Sequence, residues 1–300
     1  AFFFIQLINN LQSILNMETA LGYESKLKSH IERERAAVNL SSKVGELLYD
    51  KGVELVLFRN HLLDITISEV LNLHEYSRTV VNKPVDIFTT SELANELMKL
   101  DLDPAKIDIG KLASEYITEK GNFESASAFL IAKLKGFESG KGIPFEPRDV
   151  VLYGFGRIGR LAARELIKQA GKGQQLRLRA IVTRSNSEAD IIMRASLLKN
   201  DSVHGAFKGT VEVDLPNESI IINGQIVKMI SAKNPEDIDY TAHGINNALV
   251  IDNTGAFTTK EALSRHLQSK GTSRVLLTAP GKEIPNVVYG INQGDIDLAN

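Results

Sequence analysis

Apolar side chains recur at three- and four-residue intervals through the first part of the chain, and cluster in short consecutive runs through the second. Val44, Leu47 and Leu48, then Leu93, Leu97 and Leu100, follow the helical repeat. The polar punctuation around them agrees. Thr66-x-x-Glu69 and Thr89-x-x-Glu92 read as capping boxes, and Asp103-Pro104 as an N-cap followed by a proline. Gly52, Gly121 and Gly136 each come after a lysine or a lysine-containing last turn, as C′ glycines do. The charged stretch 25–35 is a solvated helix face. Residues 1–135 are therefore read as an all-α N-terminal domain of unknown role. Gly136, Gly140, Gly142, Pro144 and Pro147 then mark residues 136–148 as a linker and domain boundary.

From residue 149 the period changes. A strand at 149–153, a helix at 157–170 and a second strand at 177–182 form a right-handed βαβ unit. Ile220–Ile222 and 226–230 flank Asn223-Gly224, a two-residue hairpin signal. A strand at 248–252, a helix at 260–269 and a strand at 275–279 ended by Pro280 follow. Alternation of this kind implies an α/β domain over 149–300, with a Rossmann-type, doubly wound, mostly parallel sheet.

The first strand of that domain runs directly into Gly154, Gly156 and Gly159, a G-x-G-x-x-G spacing between a strand and a helix. Gly154 permits the tight turn, Gly156 lets the backbone approach a pyrophosphate, and Gly159 allows helix and strand to pack closely. The helix directs its unpaired N–H groups at the phosphates. Its inner face is predicted as Ile158, Leu161, Ala162, Leu166 and Ile167. In such sheets a ligand sits outside the carboxyl ends of the strands. Thr183-Arg184-Ser185, Asn253-Thr254-Gly255 and Thr278-Ala279-Pro280 lie there, each explicable singly as turn chemistry.

Composition narrows the possibilities. The chain has 300 residues, 43% hydrophobic, with a formal net charge of −2, which argues for neither a nucleic-acid nor a membrane partner. Residues 149–300 carry 18 basic and 16 acidic side chains, a mildly basic half suited to a phosphorylated ligand. There is no cysteine, so no disulfide, thiolate metal site or cysteine nucleophile lies in these residues. The six histidines show no close metal-ligand spacing, and no metal is expected. The start, Ala1-Phe2-Phe3-Phe4-Ile5, lacks an initiator Met, suggesting processing or a fragment. Polar residues break it far short of the roughly 20 apolar residues a membrane span needs, and an amphipathic helix is expected there. A cytoplasmic location is assumed.

The run Gly-Phe-Gly-Arg-Ile-Gly-Arg at 154–160 resembles the opening of the glyceraldehyde-3-phosphate dehydrogenase family. So do Lys199-Asn-Asp-Ser-Val-His-Gly205, Thr254-Gly-Ala-Phe-Thr-Thr259, Arg265-His-Leu267, Thr278-Ala-Pro-Gly-Lys282 and Val288-Tyr-Gly-Ile-Asn292, in family order and roughly family spacing. The helical first half looks like an N-terminal extension found on one long bacterial-type branch. The resemblance implies an NAD or NADP cofactor held by Gly154, Phe155, Gly156, Arg157, Ile158, Gly159, Thr254, Gly255, Phe257 and Thr278. Lys233 stands where the family has an arginine near the adenosine half. It further implies NAD(P)-dependent oxidation of an aldehyde phosphate with phosphorylation, and a homo-oligomeric full-length enzyme. Alternatives are an erythrose-4-phosphate dehydrogenase-like enzyme, and a non-catalytic cofactor-binding or partner-docking protein.

Two departures from the family pattern stand out. Its ribose-binding acid at the end of the second strand corresponds here to Thr183, followed by Arg184. Arginine can pair with a 2′-phosphate, which points toward NADP or dual use. The family's nucleophilic cysteine lies a short way beyond the segment matching 288–292, whereas the sequence stops at Asn300. These residues are thus expected to form the cofactor-binding part of an enzyme, without its catalytic domain and inactive alone.

Overall fold

The computed structural model describes residues 2–81, 85–137, 146–171, 175–288 and 290–295, with side chains from residue 22 onward except 78–81. The chain divides into two compact units, Ala1–Pro144 and Phe145–Asn300. Most of the expected linker, 138–145, and the apolar side chains of the N-terminal run lie outside these described parts.

The first unit begins with a long helix, α1 (Phe2–Lys51), ended by Gly52 at φ +72, whose N–H donates to Leu48 O. β1 (Glu54–Leu57), β2 (Asn60–His61), α2 (Ile67–Val81), α3 (Ile87–Lys99), β3 (Lys106–Asp108), α4 (Ile109–Glu119) and α5 (Ala126–Lys133) follow. Its core joins Leu40, Val44 and Leu47 of α1 to Leu93 and Leu97 of α3, Leu55 and Leu57 of β1, and Phe129 and Leu130 of α5. The helical periodicity is therefore what builds this core. The unit is predominantly helical, with one feature the sequence reading lacks: a three-stranded sheet ordered β2-β1-β3, antiparallel then parallel.

Helix starts divide similarly. Thr66 and Glu69 form the expected reciprocal box, with backbone N–H to side-chain oxygen distances of 2.7 and 3.2 Å. Thr89 is instead inside α3, which Asp86 caps by accepting from Thr89 N at 2.8 Å. No helix follows Asp103-Pro104; the strand β3 comes first, and Asp108 caps α4. An aspartate offers the helix the same acceptor as a threonine, so spacing alone chose the wrong residue.

The second unit runs β4 (Arg148–Tyr153), α6 (Arg157–Gln169), β5 (Leu176–Thr183), α7 (Glu188–Lys199), β6 (Asn200–Asp201), β7 (Gly205–Ala206), β8 (Val211–Asp214), β9 (Ser219–Ile222), β10 (Gln225–Ser231), β11 (Ala248–Asp252), α8 (Lys260–Ser264) and β12 (Thr272–Leu277). Seven strands form one sheet, ordered β12-β11-β4-β5-β10-β9-β8. The first four pairings are parallel and the last two antiparallel. β4 is buried on both faces: Val150 and Leu152 join one core, Val151 and Tyr153 the other. That explains its unbroken apolar run. Asn223 and Gly224 make the β9–β10 turn at φ +47 and +78, both in the left-handed region that a tight hairpin turn demands.

The sheet fixes where a ligand can sit. From β4 the chain steps to β5 and β10 on one side, then crosses back to β11 and β12 on the other. The strand order thus reverses at β4, and a crevice opens beyond its carboxyl end.

Candidate dinucleotide site

Four strand ends converge at that crevice, and backbone hydrogen bonds continue the ladder past each. Gly154 N donates to Val182 O, Asn253 N to Tyr153 O, Ala232 N to Thr183 O and Thr278 N to Asp252 O, all at 2.8–3.0 Å. These bonds hold the first residues after β4, β10, β11 and β12 in register with the neighbouring strands. Between them lies a cavity of about 410 Å³, lined by residues at the carboxyl ends of β4 and β5, by residues following β4, β5, β10 and β11, and by Arg194 of α7.

The glycine turn has three separable roles here. Gly154 sits at φ +91, where a β-carbon would also meet Thr254 Cγ2 at 2.7 Å. At Gly159 a β-carbon would strike Gly154 O at 2.3 Å, so helix and strand close only because it is absent. Gly156 faces open space: nothing lies within 4 Å of its would-be β-carbon, and the residue lines the cavity. Gly156 is also the N-cap of α6 and supplies no side-chain cap. The first N–H groups of that helix are left for an anion to accept. The cradle therefore fits a dinucleotide pyrophosphate: a bare backbone approach beside a helix N-terminus.

Of the residues singled out in the sequence, Gly154, Phe155, Gly156, Thr183, Arg184, Lys233, Thr254 and Phe257 line the cavity. Arg157, Ile158, Gly159, Gly255 and Thr278 do not. Ile158 is half exposed, contrary to its expected inward position; Gly159, Ala163 and Ile167 are the buried stripe of α6. The inward face starts one residue later because the helix must present Gly159, not a side chain, to the Gly154 turn. Thr278 spends its hydroxyl on Asp252 O at 3.0 Å and serves as a buttress. Thr183 likewise donates to Ser185 O at 2.7 Å and is buried, whereas Arg184 is exposed. Asn253, from a loop the sequence placed at the ligand end of the sheet, also lines the cavity; Tyr153, Val182, Arg194, Ala232 and Ala256 complete the lining and were not singled out as site residues in the sequence.

Behind the wall lies a buried polar pair. His266 Nε2 and Asp252 Oδ2 are 2.9 Å apart, and both side chains are fully buried. The other oxygen of Asp252 accepts from Thr254 N and Thr254 Oγ1, each at 2.7 Å. The His266 ring meets Tyr153 and Phe257 edge-on at 4.7 and 5.2 Å. Burial and the nearby Asp252 charge push the Tyr153 hydroxyl up to about 12, so it stays protonated at neutral pH. Arg265 clamps Glu236 through two bonds of 2.6 and 3.1 Å and lies over the Phe257 ring. The Arg265-His266 dipeptide thus shapes the cavity wall without lining it.

The Lys199–Gly205 block is also a scaffold. The Asp201 carboxylate accepts from His204 N, Val203 N, the His204 ring and Arg160, which hold it well below the usual carboxylate range. Arg164 ties the same turn to α6 through Leu198 O and Gly205 O. The last block resembling the family includes Tyr289, outside the described residues. Among the described residues no cluster of histidine and carboxylate side chains could hold a metal ion, and no helix is long and apolar enough to cross a membrane.

Comparison with known proteins bears on the same elements. Residues 148–260 match the family model described as glyceraldehyde 3-phosphate dehydrogenase, NAD binding domain. A glyceraldehyde-3-phosphate dehydrogenase-like protein of Pseudomonas aeruginosa is 40% identical over 259 residues, covering 84% of this chain and 56% of that protein. Glyceraldehyde-3-phosphate dehydrogenases of Lactococcus lactis and Streptococcus pyogenes are 40% and 38% identical over 149 residues, 49% of this chain and 41% of theirs. The chain thus spans about half the length of the curated relatives it matches. The Pseudomonas alignment is longer than the Rossmann unit and so takes in residues of the helical one. The second unit is an NAD-binding half of the glyceraldehyde-3-phosphate dehydrogenase family.

Proposed function

We propose that this chain is the cofactor-binding part of an NAD(P)-dependent dehydrogenase that oxidises an aldehyde phosphate with phosphorylation. The observation that carries the reading is the cavity at the strand-order reversal, where an unobstructed Gly156 and the uncapped N-terminus of α6 meet. The chain's own residues bind and orient. Gly156 and the first amides of α6 hold the pyrophosphate. Thr254 and Phe257, fixed by Asp252, His266 and Arg265, form the wall on the β11 side of the cavity. Bound there, the nicotinamide supplies hydride chemistry. No side chain among the 300 residues is a thiol, so the acylating nucleophile characteristic of the family is not supplied by this sequence.

The test is direct. Titration of the 300-residue protein with NADPH and NADH, followed by nicotinamide fluorescence or calorimetry, should show saturable one-site binding. The same preparation should give no cofactor reduction with glyceraldehyde 3-phosphate and inorganic phosphate above a protein-free control. Failure to bind either dinucleotide would overturn the reading. Turnover that survives repurification would show that the chemistry runs without a thiolate.

A further inference from the structure

Arg194 occupies an unusual place for a charged side chain. On α7 the buried residues are Ile191, Ala195 and Leu198, and Arg194 falls on the same stripe by the three- and four-residue repeat. Its Nε is shielded from water and has no hydrogen-bond partner. An N–H so placed loses hydration without a compensating acceptor, which is costly unless an anion comes to it. The side chain opens onto the dinucleotide cavity, whose lining includes two further cations, Arg184 after β5 and Lys233 after β10.

No carboxylate lines that cavity. The nearest acid in sequence, Asp190, accepts from Ser185 and Ser187 at 2.5 and 2.6 Å, and these bonds, with the Arg194 charge one turn away, hold its carboxyl below the usual range. An adenine ribose with a free 2′-hydroxyl wants an acidic acceptor at this strand end. Here it would find three cations, contributed by three separate segments. The pyrophosphate is already served by the glycine turn at β4, so these charges lie to one side of it, beyond β5 and β10.

We propose that Arg194, with Arg184 and Lys233, forms a subsite for a phosphomonoester dianion, and that Arg194 is the specificity-determining residue selecting NADP over NAD. The proposal rests on the dinucleotide reading above. Arg194 supplies the shielded charge-assisted bond, while exposed Arg184 and Lys233 complete the neutralisation from the solvent side.

The wild-type 300-residue protein should bind NADP at least about tenfold more tightly than NAD, the worth of one charge-assisted bond. Arg194→Met, which keeps the stem and removes the charge, should abolish most of that preference with NAD affinity nearly unchanged. Its melting temperature should change little, because the shielded Nε has no hydrogen-bond partner to lose and only a through-space attraction to Asp190 is given up. Arg194→Lys should recover part of the preference. Exposed Arg184→Gln provides a second variant without a folding cost and should weaken NADP alone by a smaller factor. Two fragments separate the sources of the phosphate: 2′,5′-ADP should compete with NADPH, and 5′-AMP or inorganic phosphate alone should compete far more weakly. Equal wild-type affinities for NADP and NAD, or equal losses for both in Arg194→Met, would overturn the subsite while leaving dinucleotide binding intact. Binding of 2′,5′-ADP without either dinucleotide would uphold the subsite and overturn the dehydrogenase reading. Binding of none of these would overturn both.

Discussion

Gly156→Val isolates ligand approach from folding. The backbone there, at φ −74 and ψ −160, is an extended conformation open to any residue, and the new β-carbon meets no atom within 4 Å. The folding cost is limited to replacing glycine by a poor N-cap, about 1 kcal/mol. For a unit of this size that is a fall of roughly 2–4 °C in melting temperature. The branched side chain would, however, stand in the cavity where the pyrophosphate must reach the first amides of α6. Losing two charge-assisted hydrogen bonds of about 1.5–3 kcal/mol each removes about 3–6 kcal/mol of binding energy. Affinity for NADPH and NADH should fall at least about a hundredfold, and equally for both. Calorimetric titration beside a circular-dichroism melt reads both quantities on one sample. Unchanged affinity would mean that the glycine serves only the turn. A collapsed melt would mean that the backbone here has less room than the geometry gives.

Other perturbations should separate in the same assays. Gly159→Ala forces a β-carbon to within 2.3 Å of a backbone carbonyl and should cost more in melting temperature than Gly156→Val, despite adding fewer atoms. His266→Ala leaves the fully buried Asp252 without one partner and should destabilise by about 3–5 kcal/mol, with His266→Gln milder because it can still donate. Asp201, whose folded carboxyl is held below the usual range, contributes stability that is present above the unfolded value near 4 and lost as pH falls toward the folded one. The melting temperature of Asp201→Asn should therefore lie below wild type at pH 7, with the gap closing below about pH 4; a pH-independent gap would refute that origin.

Where one local signal decided the structure, the sequence could be read directly. The βαβ unit, the glycine turn and the Asn223-Gly224 hairpin all lie in contiguous residues whose backbone demands are met on the spot. The β1–β2 turn could not be read that way. Phe58 and Arg59 adopt φ of +46 and +70 without a glycine, held by Asp108, fifty residues downstream, which accepts from both amides. Its two central residues, Phe58-Arg59, carry no turn signal of their own. α7 was hidden for another reason. Ile191, Ile192, Met193, Ala195, Leu197 and Leu198 leave little polar face, so no amphipathic stripe stands out, and Ile192, Met193 and Leu197 are exposed. With the helix unassigned, Arg194 had no face to belong to.

Resemblance to a family locates blocks of residues, but not which of them a ligand meets. Within the Gly154–Arg160 block, Gly156 faces the cavity, Gly159 faces the Gly154 backbone and Asn253, and Arg160 reaches away to Asp201. Thr254 and Phe257 line the cavity, whereas Arg265 and His266 act on them from behind. The supporting residues are the more deeply committed energetically: His266 and Asp252 are fully buried and in contact at 2.9 Å, and the other oxygen of Asp252 fixes the Thr254 loop. Substitutions behind the wall should therefore change stability and binding together. Those at Gly156 and Arg194 should change binding with little change in stability, and Arg194 should further divide one cofactor from the other. A site read from motifs lists both kinds of residue alike, and the physical environment of each side chain is what tells them apart.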